Sequence, residues 1–321
     1  MEKGKNVIDE VSFRELRENE VEKAEELVRS AFGAFLNIPD PLANPSQRKM
    51  IAHRFHQNPG NVLAAFLNDE PVGANVLTKW GSFAFFGPLV VRPDLWGSNI
   101  GTRLVDEALA VFAKQGANNL GLFTFPDSPK HLGLYHKFGF CSRFLTPLME
   151  KTLEASKATG NFQIIADLNQ SERKTALAGL QMLTNQLHPG LDLTSEIELV
   201  NKMKLGDTLI IFESSSPVGF AICQTGADTE AGIDRCYVKF GATIPGPLSA
   251  SHFENLLSAI EGYAIQKKVE TLEAGVNLSH SEAFDLMLAR SYRIAFIGVA
   301  MQKPNEPAHE RSGTFVMDDW R

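Results

Sequence analysis

LVVRPDLWGSNIGTRL, residues 89–104, joins a β-strand to an α-helix through a loop that contains two glycines. The predicted strand Leu89–Val91 is ended by Pro93, and Gly97 and Gly101 stand where the helix begins. Glycine lets a backbone approach a ligand closely, and the start of a helix presents free N–H groups and a partial positive charge. The stretch therefore predicts a cradle for a pyrophosphate on the amides from Gly97 to Thr102. A tight strand-to-helix turn without a ligand is the alternative.

The elements around this cradle predict an α/β fold. Apolar patterns over residues 10–150 give the order strand, helix, helix, three strands, helix, strand, helix, strand. In the helix after the cradle, Leu104, Ala108, Val111 and Phe112 fall on one face. A Gly-Pro pair at 87–88 interrupts the strand before the cradle and predicts a bulge or an edge defect. We expect a mixed, mostly antiparallel sheet flanked by helices.

The second half of the sequence repeats this order of elements. A period of about 150 residues indicates a duplicated domain, because the repeats of a solenoid are roughly 20–50 residues long. The predicted domains are residues 1–155 and residues 161–304. The remaining tail, 305–321, is Pro-rich and polar until its last few residues, and we expect it to pack loosely.

Tyr135 lies in LYHKFGF, residues 134–140, on a short predicted helix that leads into the last strand of the first half. The order of strand, glycine loop, helix, strand and Y-x-x-x-G-F resembles the GNAT superfamily of acyl-CoA-dependent N-acyltransferases. The resemblance covers roughly residues 10–150, and the second half resembles a degenerate copy. It implies two GNAT-like domains in tandem, acetyl-CoA as the default acyl donor, and a small-molecule or peptide amine as the acceptor.

The resemblance also assigns roles to particular positions of the cradle. Trp96 stands where the family has Arg or Gln, and Asn99 stands where it has a central glycine. Asn adopts a positive φ more readily than most residues, so the turn is retained with some strain. The family's Asn seven residues before the tyrosine is replaced by Ser128, which is alternatively a helix N-cap followed by Pro129. The implied cofactor-binding residues are Leu89, Val90, Val91, Trp96, Gly97, Ser98, Asn99, Ile100, Gly101, Thr102 and Ser128.

Tyr135 is implied by the resemblance to be the catalytic general acid, which protonates the departing coenzyme A thiolate. A thiol pKa near 8.5 and a phenol pKa near 10 make full proton transfer uphill by about 2 kcal/mol, so a hydrogen bond to the thiolate would supply much of the effect. The alternative is a half-buried aromatic side chain on an amphipathic helix.

No general base is evident from the sequence. The strand over 82–91 has no acidic residue, and the nearest titratable groups are Asp94, Asp127 and His131. His131 lies one helical turn before Tyr135, and an exposed helix histidine is the favoured interpretation of it. We therefore expect a base that acts through water or an acceptor amine of low pKa. Five phenylalanines either line an acceptor pocket or belong to the core: Phe83, Phe85, Phe86, Phe123 and Phe125.

The second half lacks both chemical elements of the first. Pro245 and Pro247 stand where the first half has its glycine loop, and proline has no N–H to offer a phosphate. The position equivalent to Tyr135 falls near Met287, which cannot donate a proton. This half is expected to be a scaffold, a wall of the substrate site or the surface of a homodimer.

Composition restricts the remaining function classes. Residues 1–150 contain 16 Lys+Arg and 17 Asp+Glu, and the remainder contains 15 and 21, so neither half has the positive field that nucleic acid binding requires. No secretory h-region and no apolar run of about 20 residues is present, which favours a cytoplasmic protein without a membrane span. No spacing of metal ligands or GK[ST] motif is found. An amine acyltransferase and a non-catalytic acyl-CoA sensor are the competing hypotheses.

Overall fold

The computed structural model describes residues 7–43, 48–154 and 160–321, so most of the expected junction between the halves, residues 155–159, lies outside the described residues. The first half follows the predicted order of elements. Its helices and strands are β1 (Ser12–Glu15), α1 (Val21–Leu36), α2 (Ala52–Gln57), β2 (Val62–Leu67), β3 (Glu70–Trp80), β4 (Phe83–Val91), α3 (Ile100–Lys114), β5 (Asn119–Thr124), α4 (Pro129–Lys137) and β6 (Cys141–Thr152).

The second half shows the same succession and adds one short strand in the tail. Its helices and strands are β7 (Gln163–Ile164), α5 (Gln170–Leu187), α6 (Thr194–Met203), β8 (Gly206–Glu213), β9 (Ser216–Gly226), β10 (Gly232–Thr243), α7 (Ser249–Gln266), β11 (Thr271–Gly275), α8 (Ser281–Ala289), β12 (Arg293–Lys303) and β13 (Val316–Met317). The predicted fold class, a mixed sheet flanked by helices, is confirmed.

The strands of both halves form one continuous sheet of 13 strands in which the last strands of the halves are exchanged. β12 lies between β5 and β6, with Val299 opposite Thr124 on one side and Gly298 opposite Thr146 on the other. β6 in turn pairs with β11 of the second half, where Leu148 lies opposite Gly275. Each half is therefore completed by a strand from the other.

Helices cover both faces of the sheet. The alternation of side chains along β4 shows the arrangement, because Phe83 and Phe85 pack in a cluster with α5 and α6, whereas Ala84 and Phe86 pack against α3 and α4. α1 packs on a third cluster that includes Val76 of β3. The predicted irregularity at Gly87–Pro88 is confirmed by a register shift between β3 and β4 at Asn75–Leu77.

The C-terminal tail does not pack loosely, and the expectation from its polar composition is wrong. β13 pairs antiparallel with β10, and the side chains of Met317 and Trp320 are only 0% and 3% exposed. Trp320 packs against Phe83, with 5.0 Å between the ring centroids. The few apolar residues at the end of the tail decide its position, because burying each large side chain contributes about 1.5–3 kcal/mol.

We expect Gly275→Ala to destabilise the protein by about 1–3 kcal/mol, because overpacking forces neighbouring groups to shift. A Cβ at Gly275 would lie 2.4 Å from the Cβ of Asp319 and 2.9 Å from the carbonyl oxygen of Asp318, so the tail would have to move. Urea unfolding measures the change. Gly133→Ala in α4, where a Cβ meets nothing within 4 Å, is the control and is expected to be neutral or stabilising. Equal midpoints for Gly275→Ala and the wild type would show that the tail is not held at this contact.

Candidate active site

A cleft opens in the sheet where β4 and β5 diverge. The two strands pair in parallel only at Phe83–Phe85 and Asn119–Gly121. Beyond this point β4 continues to Val91 with β3 as its partner, and β5 continues to Thr124 with β12 as its partner. The edge of β4 that faces the cleft therefore has backbone groups without a strand partner, which are suited to binding an extended ligand.

A cavity of about 500 Å³ lies in this cleft. Ten of the twelve residues that the sequence indicated for the site line it, and the two exceptions are Ser98 and Ser128. The ten are Leu89, Val90, Val91, Trp96, Gly97, Asn99, Ile100, Gly101, Thr102 and Tyr135. The structure thus brings the glycine loop, the end of β4 and the tyrosine to one cavity.

The N-terminus of α3 lines this cavity. Asn99 is the N-cap in a left-handed conformation with φ 68°, as the sequence predicted, and its side chain does not cap the helix. Gly97 has φ 90°, and a Cβ there would meet nothing within 4 Å. Because the first N–H groups of a helix have no partner within the helix, those of Ile100, Gly101 and Thr102 are suited to binding an anion.

Trp96 and two lysines form the mouth of the cavity. The indole N–H of Trp96 donates a 2.7 Å hydrogen bond to the carbonyl of Val91, so the side chain folds over the end of β4. The Lys130 amino group lies 5.0 Å from the centre of the indole ring. Lys130 and Lys137 both line the cavity. Their charges and the dipole of α3 make the mouth attractive to a polyanion.

Ser98 and Ser128 have local structural roles. The Ser98 hydroxyl donates a 2.6 Å hydrogen bond to the Leu95 carbonyl and tightens the loop. Ser128 is the N-cap of α4, where its Oγ accepts a hydrogen bond from the His131 N–H at 3.4 Å and Pro129 occupies the first helical turn. Among the described residues the geometry therefore favours the N-cap interpretation of Ser128 over contact with a cofactor.

Tyr135 lies at the inner end of the cavity with only 5% of its surface exposed. Burial raises the pKa of its phenol, and a side-chain hydrogen bond with Thr124 counteracts part of this effect. Its ring packs against Phe86 with 5.9 Å between centroids. The phenol therefore stays protonated at neutral pH and can serve as a hydrogen-bond donor, but it cannot serve as a base.

The acidic residues near the loop are not placed to act as a base in the cavity. Asp94 accepts hydrogen bonds of 2.7 and 3.0 Å from Arg92, and these bonds lower the pKa of its carboxyl. Asp127 is exposed. Of the described residues that line the cavity, none is Asp or Glu.

His131 is not an exposed helix residue, and that interpretation is wrong. Its half-buried imidazole lines the cavity between two rings, with centroids 4.9 Å from Phe35 and 5.7 Å from Phe125. Burial lowers the pKa of His131 and the nearby charge of Lys130 lowers it further, whereas Asp127 raises it. Its Nδ1 atom is buried without a hydrogen-bond partner among the described residues.

The aromatic lining differs from the set that the sequence singled out. Phe83, Phe85 and Phe86 are core residues, and of the five candidates only Phe125 lines the cavity. Phe32 and Phe35, which sequence reasoning missed, line it from the last turns of α1. Their spacing of three residues continues the apolar face of α1, which is the signal that could have identified them.

The equivalent cleft of the second half is filled by the tail. β10 and β11 pair in parallel up to Val238 and Ala274, and beyond this point β13 pairs with β10 at Gly241 and Ala242. Met287, at the position equivalent to Tyr135, is fully buried in a hydrophobic cluster. The chain therefore occupies its own second cleft.

Comparisons with known proteins agree with this geometry. The profile of the acetyltransferase (GNAT) family matches residues 22–140. An inferred acetyltransferase from Pyrococcus horikoshii has a similar structure, with a TM-score of 0.67 at 17% identity over 95% of this chain and 92% of that chain. A GCN5-related N-acetyltransferase from Sphaerobacter thermophilus gives a TM-score of 0.60 at 13% identity over 94% and 97%. At these identities the likeness shows the fold, and it extends over both halves.

No curated protein matches the chain. In the described parts of the chain, no helix is long and apolar enough to cross a membrane. Over the same ranges, no group of three or more His, Cys, Asp or Glu side chains could hold a metal ion.

Proposed function

We propose that the chain transfers an acyl group from acyl-coenzyme A to an amine, with acetyl-CoA as the default donor, on the basis of the match of residues 22–140 to the GNAT acetyltransferase family. The observation that carries this proposal is that the N-terminus of α3, Lys130 and Tyr135 line the same cavity, with Tyr135 at its inner end. Such a cavity offers an anion site and a proton donor to the two ends of one ligand.

In this proposal the phosphates of the donor bind the amides at the start of α3 and the charges of Lys130 and Lys137. The pantetheine arm then lies along the open edge of β4 between Leu89 and Val91. Trp96 already occupies the Val91 carbonyl, so the backbone groups that remain for the ligand are those nearer Leu89.

The amine nitrogen attacks the thioester carbonyl, the carbon–sulfur bond breaks, and the sulfur leaves as a thiolate. Tyr135 stabilises this charge. Because burial raises the pKa of the phenol, complete proton transfer is less favourable than for an exposed tyrosine. We therefore assign Tyr135 the role of a hydrogen-bond donor whose interaction strengthens as negative charge develops on the sulfur.

We expect Tyr135→Phe to lower kcat by about 10- to 100-fold, because one charge-assisted hydrogen bond contributes on the order of 1.5–3 kcal/mol. Acetyl-CoA should still bind at one site per chain, with its affinity changed less than about threefold. Calorimetric titration and amine-dependent release of coenzyme A measure the two quantities. Tyr263→Phe, which removes a hydroxyl bonded to Asp207 in the second half, is the matched control and should retain activity.

The absence of a carboxylate from the described cavity lining favours a second candidate, a non-catalytic acyl-CoA-binding module. The same experiment separates the two functions. Binding without amine-dependent turnover by the wild type would support the sensor, and no binding of any acyl-CoA would contradict both proposals.

A further inference from the structure

We propose that His131 accepts the proton of the attacking amine in an acceptor chamber walled by Phe32, Phe35 and Phe125, and that this chamber selects weakly basic amines that carry an apolar group, such as arylamines. The inference rests on the proposed acyltransferase function. It adds the general base and the class of acceptor.

The position of His131 on α4 supports this role. His131 and Tyr135 are four residues apart, so they lie on the same face of the helix, and both line the cavity. One turn of helix rises about 5.4 Å, so a reacting carbonyl beside the phenol is within reach of an amine beside the imidazole. Removal of the amine proton and stabilisation of the leaving sulfur are thus assigned to two residues that lie one turn apart on the same helix.

The chemistry of the lining singles out His131 as the proton acceptor. The titratable side chains that line the cavity are Lys130, His131, Tyr135 and Lys137. Lysine and tyrosine hold their protons at neutral pH, and burial raises the pKa of Tyr135 further. His131 is neutral there, since burial lowers its pKa and Lys130 lowers it further. The rings that face it from α1 and from the end of β5, Phe35 and Phe125, carry no charge.

The walls of the chamber determine the acceptor. Phe35 and Phe125 pack on each other with 4.5 Å between centroids, and Phe32 lies 6.4 Å from Phe125. Phe296 of β12 backs Phe125 at 5.6 Å, so the second half contributes support to this wall. A polycationic amine would meet two lysines and no carboxylate among the described lining residues, whereas an apolar amine would bury its hydrocarbon against the rings.

The proton balance also favours an amine that arrives uncharged. The neutral imidazole takes the N–H proton as the nitrogen–carbon bond forms, the carbon–sulfur bond breaks, and the histidinium later releases the proton to solvent or to the thiolate. The products are an amide and a thiol. A lysine-type ammonium, with a pKa of about 10.4, would have to give its proton to an imidazole whose pKa is lowered, so only about one molecule in 10⁴ or fewer would be deprotonated before any chemistry. Arylamines and other weakly basic amines avoid this limitation.

The test is the pH dependence of kcat/KM with p-anisidine, a weakly basic arylamine, calculated on the concentration of its uncharged form. In the wild type, kcat/KM should fall at a pH lower than the ordinary histidine value of about 6.5, because the pKa of His131 is lowered. In His131→Gln it should be about 10²-fold or more lower and independent of pH in this range. Imidazole added to His131→Ala should restore part of the rate. His136→Gln, an exposed histidine on the same helix, is the matched control and should behave as the wild type.

Wild-type kcat/KM should be at least about tenfold higher for p-anisidine than for spermidine, because burying one apolar group in a pocket changes kcat/KM by about this factor or more. His131→Gln with a wild-type rate and an unchanged acidic limb would overturn the role of His131, as would the absence of imidazole rescue in a folded His131→Ala. A preference for spermidine would overturn the acceptor class. Acetyl-CoA titration separates these failures from failure of the proposed function, because the His131 variants should bind acetyl-CoA as the wild type does.

Discussion

Residues 1–154 produced without the rest of the chain are expected to give no folded protein, and residues 160–321 produced alone are expected to behave in the same way. Produced together in one cell, the two fragments should assemble into a complex that binds acetyl-CoA. The reason is the exchange of strands between the halves, since β12 lies between β5 and β6 and β6 lies between β12 and β11.

The energetic cost of separating the halves is comparable to the whole stability of a domain. Removing β12 leaves β5 and β6 without their shared partner and exposes Phe123 and the face against which Val299 and Met301 are buried. Each large buried side chain contributes about 1.5–3 kcal/mol, and folded domains are stable by only about 5–15 kcal/mol. Two unpaired strand edges in the interior of the sheet also invite aggregation.

Circular dichroism of the single fragments and affinity capture of one fragment by the other measure the outcome. The intact chain cut at a protease site introduced between residues 154 and 160 is the control and should remain folded. A soluble 1–154 fragment that unfolds cooperatively and binds acetyl-CoA would show that β6 can take the place of β12. In that case the second half would not be required for the site.

The sequence was sufficient to predict the order of the elements, because helix and strand periodicities are local signals. The sequence was also sufficient to predict the left-handed conformation of Asn99 and the loop that reaches the cavity, because both depend on the backbone preferences of single residues. The exchange of β6 and β12 could not be predicted. A strand with alternating apolar residues can pair with either neighbouring strand, so its pattern does not specify its partner.

The positions of particular side chains in the site were less predictable. His131 and Phe35 come together across the cleft from α4 and α1, and nothing in either segment encodes the distance to the other. The prediction that the tail packs loosely was wrong for a related reason. The composition of the tail is polar, but its few apolar residues, such as Trp320, are buried in a core built by both halves. Composition describes the average of a segment, whereas packing depends on its individual members.

A second large effect is expected at the buried ion pair between the halves. Arg54 of α2 donates hydrogen bonds of 2.7 and 2.9 Å to Glu196 of α6, and the indole N–H of Trp80 donates a third at 3.1 Å. The Arg54 and Glu196 side chains are only 3% and 1% exposed. We expect Glu196→Gln to destabilise the protein by about 3–5 kcal/mol, because it leaves the buried guanidinium with only its longer, 3.5 Å contact to Glu230. Glu107→Gln, at an exposed pair with Arg103, is the control and should cost less than about 1 kcal/mol.

The dependence of this effect on pH identifies its cause. Burial opposes ionisation of Glu196, but the charge and hydrogen bonds of Arg54 outweigh it, so the pKa of the carboxyl lies below its ordinary value of 4.5. A group with a lowered pKa in the folded state stabilises the protein above its ordinary pKa, and this stabilisation is lost as pH falls through the lowered value. The difference in unfolding free energy between wild type and Glu196→Gln should therefore be constant above about pH 5 and shrink at more acidic pH.

Replacing both partners tests whether the loss of stability in Glu196→Gln comes from losing the pair or from leaving a buried charge poorly compensated. Arg54→Met combined with Glu196→Leu removes both charges with side chains of similar size, and we expect it to recover most of the stability that Glu196→Gln loses. Urea unfolding of the single and double variants gives the coupling energy between the two sites. If the double variant is less stable than Glu196→Gln, the pair contributes more than mutual neutralisation. Loss of the Trp80 N–H bond, which ties β3 to α6, and loss of the contact between Arg54 and Glu230 would then account for the difference.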